Sequence, residues 1–124
     1  MRLDEVELSD TTVRPGEVLG LAFFWTGAQE IDTRYKVFIQ LLDGDGALVA
    51  QRDAEPVGNL KPTDRWAIGE RVIDQHGLLI PADLPPGDYQ LVMGLYETLP
   101  PNRRLTHGAD QQDFIDLGTV SVGR

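Results

Sequence analysis

An all-β sandwich is predicted for this 124-residue chain, and three observations predict it. Apolar residues recur at two-residue spacing in several short runs, the period of a strand with one face in a core. Its 13 glycines and 8 prolines fall mostly between those runs, so that each run ends in a turn. No stretch carries the 3.6-residue period of an amphipathic helix.

Taken in order, Val6 and Leu8 begin a first strand, and Arg14-Pro15-Gly16-Glu17 forms a turn, Pro presetting one backbone angle and Gly accepting a positive one. Leu19, Leu21, Phe23 and Trp25 then mark the core face of a long second strand. Tyr35 to Asp53 reads as a hairpin closed by Asp43-Gly44-Asp45-Gly46. Pairing Leu42 with Ala47 sets Leu41 against Leu48, Ile39 against Ala50 and Lys36 against Asp53, one register for apolar and charged pairs alike. Ala54 to Gly69 is richer in Pro, Gly and polar residues and reads as a long connection.

Glu70 to Ile80 holds another strand, with Val72, Leu78 and Ile80 facing inward and an irregularity expected at His76-Gly77. Pro81-Ala82-Asp83-Leu84-Pro85-Pro86-Gly87 reverses the chain into a central strand carrying Tyr89, Leu91, Met93 and Leu95. A polar loop through Pro100, Pro101 and Asn102 leads to Arg103-Arg104-Leu105, read as a short strand. The last strand spans about Phe114 to Val122; its core residues slip by one between Leu117 and Val120, which predicts a bulge near Gly118. Seven to nine strands in this length suit an immunoglobulin-like or fibronectin-like antiparallel sandwich, with a jelly roll as the alternative. The Leu84-Pro85-Pro86-Gly87-Asp88-Tyr89 stretch favours the first, because similar turns followed by Tyr enter a central strand of such sandwiches.

One domain, residues 1–124, with one core fits this length and a 41% hydrophobic fraction. The net charge of −9 is spread along the chain; such a surface repels phosphate backbones and argues against nucleic-acid binding. With no cysteine there is no disulfide, thiolate metal site or cysteine nucleophile. No apolar run approaches the roughly 18–20 residues that span a bilayer, so no membrane insertion is expected of this chain itself. Acids at Asp4, Glu5 and Glu7 stand where a signal peptide would be apolar. The chain reads as cytoplasmic or, if excised from a longer exported protein, as extracytoplasmic.

Catalysis is not expected. The only serines are Ser9 and Ser121, and His76 and His107 carry no metal-ligand motif. Asp43-Gly44-Asp45-Gly46 starts like a calcium loop, but Ala47 and Ala54 stand at its further ligand positions, leaving a turn; no metal and no cofactor is expected. Sugar-binding sandwiches stack an aromatic face on a pyranose beside carboxylates. Trp66 with Glu70, and Tyr96 with Glu97, are the candidates here, each weighed against a core-covering role. Phe38, Leu42 and Val49 are read as pointing away from the hairpin's core face, either covered by a loop or left as an interaction face.

Val13, Pro15-Gly16-Glu17, the Leu19 to Trp25 strand, Tyr35 to Gln51, Pro62-Thr63, Trp66, Gly69-Glu70, Leu84 to Tyr96, Leu117-Gly118 and Val120 carry a resemblance. Together they resemble the C-terminal β-sandwich of multi-pass bacterial glycosyltransferases of the protein-mannosyltransferase type. The resemblance spans nearly the whole chain, yet its motifs are turns and core positions. It implies a non-catalytic accessory domain outside the membrane, binding glycan or positioning the parent membrane enzyme near its acceptor. The alternative is a protein–protein interaction or spacer domain without a small-molecule ligand.

Overall fold

A computed structural model describes residues 1–107 and 111–123. Eight strands form among them: β1 (Arg2–Leu8), β2 (Thr12–Val13), β3 (Val18–Thr26), β4 (Tyr35–Leu42), β5 (Leu48–Ala54), β6 (Arg71–Leu79), β7 (Gly87–Glu97) and β8 (Ile115–Val122). They build a three-stranded sheet, β1-β3-β6, and a five-stranded sheet, β2-β8-β7-β4-β5. Pairing is antiparallel throughout except for β2 on β8. The chain crosses between sheets after β1, where the Asp10 carboxylate accepts the backbone N–H groups of Thr11 and Thr12 at 2.7 and 3.1 Å. A first strand divided between two sheets and a β8-β7-β4 trio facing β1-β3-β6 are immunoglobulin-like connectivity rather than that of a jelly roll.

The inner faces follow the predicted alternation. Leu19, Leu21, Phe23 and Trp25 of β3 meet Val37, Ile39 and Leu41 of β4 and Tyr89, Leu91, Met93 and Leu95 of β7, all buried. The Tyr89 hydroxyl donates to Pro85 O at 2.6 Å, tying the start of β7 to the Pro-Pro-Gly turn as a tyrosine corner does. The expected bulge in β8 is present: Leu91 pairs with Gly118 and Val92 with Asp116, leaving Leu117 over. Gly118 takes a φ of +99°, and its N–H donates to the Asp116 carboxylate.

Three expectations are corrected. In the hairpin, Leu42 pairs with Leu48, Leu41 with Ala50, Ile39 with Arg52 and Phe38 with Asp53. The turn needs one more residue than expected, because the Asp43 carboxylate holds the N–H groups of Asp45 and Ala47, both at 2.9 Å. A bulge at Val49 then adds a second residue, so Asp53 faces Phe38 instead of Lys36. In β6 the register runs unbroken from Arg71 to Leu79, so there is no irregularity at His76-Gly77. Asp74 and His76 share the inward parity of Val72 and Leu78 and are buried. Finally, the Arg103-Arg104-Leu105 segment makes only an isolated bridge, Tyr96 to Arg104, instead of a strand.

Candidate functional site

The outer face of the five-stranded sheet combines aromatic, charged and amide side chains. Register and alternation place Lys36, Phe38 and Gln40 of β4 on this face, with Gln51 and Asp53 of β5 and Val92, Gly94 and Tyr96 of β7 beside them. Gly94 leaves room where a side chain would stand: a Cβ there would lie 2.3 Å from Phe38 Cζ. The Phe38 ring therefore lies against bare β7 backbone. Tyr96 stacks on it at 6.3 Å between centroids and 29° between planes, and the Arg104 guanidinium sits 4.4 Å from its centroid. Arg104 is steered there by Asp113 at 3.6 Å. The Tyr96 hydroxyl donates to Asp53 Oδ2 at 2.8 Å. Beside this cluster is a depression of about 290 Å3, lined by Tyr35, Glu97, Arg103 and Arg104 among others.

Tyr96 is half-buried, and its hydroxyl is pushed up to about 12, first by burial, then by the hydrogen bond to Asp53 and that carboxylate's charge. Folding thus favours the neutral phenol. The resulting stability is complete below pH 10.0, the ordinary tyrosine value, and is lost as pH rises toward 12. Denaturant titrations between pH 9 and 11.5 should show a decline that is shallower in Tyr96→Phe, which at neutral pH should cost about 1 kcal/mol for the lost bond.

The sequence-predicted residues separate into two groups. Tyr96 belongs to the outer cluster with Phe38 and Asp53, whereas Glu97 lines the neighbouring depression and pairs with Arg103 at 3.0 Å. Glu97 also lines a second depression, of about 430 Å3, with Asp32, Arg34 and Asp64. Trp66 and Glu70 are placed elsewhere. Trp66 is 4% exposed, tilted against Trp25 at 6.0 Å, with Nε1 donating to Lys61 O at 3.1 Å. The 3₁₀ turn Thr63–Arg65 delivers this ring to the end of the core, so it presents no face to solvent. Glu70 shapes the same loop: Lys61 and the Ala67 N–H hold its carboxyl below the usual carboxylate range. Of the expected interaction face, Phe38 is covered, at 2% exposure. Val49, the bulge residue, packs against the core, and Leu42 is half-buried.

The inward polar residues of β6 form a chain that closes the sandwich between β5 and β6. Arg52 Nε donates to His76 Nδ1 at 3.2 Å. Arg can only donate, so that nitrogen is the acceptor and the proton sits on Nε2, which donates to Asp74 Oδ2 at 2.7 Å. Asp74 Oδ1 accepts the Val57 N–H at 2.7 Å. These bonds stitch β5 and the loop at Val57 to β6 as a polar seam. Among the described residues, no group of three or more His, Asp or Glu side chains could hold a metal ion. Sequence reading missed Arg104 and Asp53 at the outer cluster. Gly94 inside a strand is the one local signal of close packing there, and Asp53 needed the true hairpin register.

No family model matches the sequence, and no curated protein matches it. Among solved structures, the chain is similar to the crystal structure of the C-terminal domain of Wzt, with a TM-score of 0.59 and 15% identity over 96% of this chain and 70% of that one. Nothing in that comparison singles out a mannosyltransferase relative. The likeness is one of fold: this chain and the C-terminal domain of Wzt share a β-sandwich.

Proposed function

We propose that the chain is a non-catalytic accessory sandwich that binds glycan on the outer face of its five-stranded sheet. In this reading it is a segment of a longer bacterial protein, held on the extracytoplasmic side of the membrane, where it keeps an acceptor near a parent membrane glycosyltransferase. The observation that carries the reading is the half-exposed Tyr96 ring stacked on Phe38, with its hydroxyl on Asp53 and Arg104 over the Phe38 ring. A ring face beside carboxylate, guanidinium and amide groups suits the apolar face and hydroxyls of a pyranose. The similar Wzt structure is itself a C-terminal domain, which supports an appended module. No helix among the described residues is long and apolar enough to cross a membrane, so the membrane part belongs to the parent chain in this reading.

A glycan array followed by calorimetry on its best hit tests this. Tyr96→Ala should weaken binding roughly ten-fold, about 1–1.5 kcal/mol, by removing the stacking face. Tyr96→Phe should retain most of the affinity. Unchanged affinity in Tyr96→Ala, or an array without signal, would count against the glycan reading.

A second reading rests on the other sheet. Val18 faces Leu79 and Phe24 faces Ile73 on the outer side of the three-stranded sheet, and Val18, Leu79 and Ile73 are all exposed. The two pairs stand about 20 Å apart along the strands, and a protein partner laid across the sheet would cover both. Light scattering across a concentration series, with Ile73→Asp as the comparison, tests for self-association there.

A further inference from the structure

The outer face of the three-stranded sheet has a relief that repeats in reverse about its middle. There Ala22 of β3 pairs with Gln75 of β6. Two positions toward one end, half-buried Phe24 pairs with exposed Ile73, and the two side chains form an apolar ridge. Two positions toward the other end, Gly20 pairs with Gly77 and leaves a hollow. The hollow opens into a depression of about 330 Å3, lined by Glu7, Ser9, Gly20, Ala22 and Gln75 among others. Val18 walls it on the far side, with its Cγ1 3.0 Å from where a Gly77 Cβ would stand. Four positions out, Thr26 with Arg71 closes one end of the face and Val18 with Leu79 the other.

Ridge and hollow stand equally far from Ala22 and Gln75, so a two-fold axis through that pair exchanges them. Stacking two copies about an axis that crosses the strands there lays β3 over β3 and β6 over β6 in opposite directions. Phe24 of each copy then enters the depression over Gly20 of the other. Ile73 packs on Gly77 and Val18, and Leu79 covers the aliphatic stem of Arg71. We propose that the chain forms a two-fold dimer through this face, in this register. The dimer rests on the protein-contact reading of the sheet and gives that contact its partner, a second copy. The face measures about 30 by 14 Å, so pairing buries roughly 1,000 Å2 in total, which suits a weak dimer with a dissociation constant on the order of 100 µM. Charge opposes it at one point: Glu7, level with Ala22, meets the same residue of the other copy at the rim.

Because the chain has no cysteine, introduced thiols report the register cleanly. Arg71 and Leu79 are exposed at the two ends of β6, about 26 Å apart. A mixture of Arg71→Cys and Leu79→Cys chains, treated with a short bifunctional thiol reagent, should give a covalent heterodimer, and neither variant alone should give one. In sedimentation across a concentration series, Phe24→Ala should weaken the dimer about ten-fold by removing the ridge. Glu7→Gln should tighten it about three-fold by relieving the like-charge contact. A wild-type chain that stays monomeric up to its solubility limit would overturn the dimer and leave the face to a different protein. Self-association that Ile73→Asp abolishes, but without the mixed crosslink or with equal crosslinking of either variant alone, would overturn this register while the protein-contact reading stands. Self-association untouched by both Phe24→Ala and Ile73→Asp would place the contact elsewhere and overturn both.

Discussion

Replacing Asp74 by alanine is expected to lower the unfolding free energy by about 3–5 kcal/mol, the largest loss for any single change considered. Its carboxylate is fully buried and accepts from the partly buried Val57 N–H and from the buried His76 Nε2. Alanine leaves both unpaired, at about 1–3 kcal/mol each, and opens a small void beside Phe23, whose ring lies 5.4 Å from that of His76. Arg52 on the facing strand also loses the carboxylate that its charge approaches through the imidazole. Asp74→Asn keeps an acceptor for Val57 and should lose about half as much. Urea midpoints for the two variants measure the difference; an alanine variant within 1 kcal/mol of wild type would remove the seam from any part in closing the sandwich.

Gly94→Ala should cost about 2–3 kcal/mol and abolish the glycan binding proposed for the outer face. The new Cβ would lie 2.3 and 2.5 Å from Phe38 Cζ and Cε1, and 2.9 Å from Asp113 O. Phe38 has little room to yield, because Tyr96 and Arg104 also pack against its ring. The displaced ring carries Tyr96 with it, which links this stability loss to the proposed site. Phe38→Leu in the Gly94→Ala background should recover part of the stability by relieving the clash, yet leave binding lost because the stacked pair is gone. If the double variant is no more stable than Gly94→Ala, the ring contact is not the cause.

The core was readable wherever burial alone decides the residue. Leu19 to Trp25 and Tyr89 to Leu95 carry a large apolar residue at every second position, and both strands turn that face into the core. Gly118 was readable for a related reason: a one-residue slip between apolar pairs has few structural meanings besides a bulge. What failed depended on partners distant in sequence. Asp74 and His76 look like surface residues until each is seen to satisfy the other, with Arg52 and Val57 completing the set. The hairpin register escaped because the Asp43 carboxylate lengthens the turn and Val49 adds a bulge, neither of which alters the apolar pattern. That register decides which residues flank Phe38, so half of the outer cluster was hidden with it. Trp66 and Tyr96 looked alike as loop-proximal aromatics next to carboxylates. Packing separated them: one ring completes the core beside Trp25, and the other lies on the outer sheet face.

The most direct measurement is a 15N–1H correlation titration of the chain with the glycan that an array selects. Binding at the outer face predicts shifts concentrated at Phe38, Gln40, Gln51, Asp53, Tyr96 and Arg104, with the amides of β1, β3 and β6 unmoved. Shifts confined to the three-stranded sheet, or none with any glycan on the array, would contradict a glycan-binding role for the outer face of the five-stranded sheet.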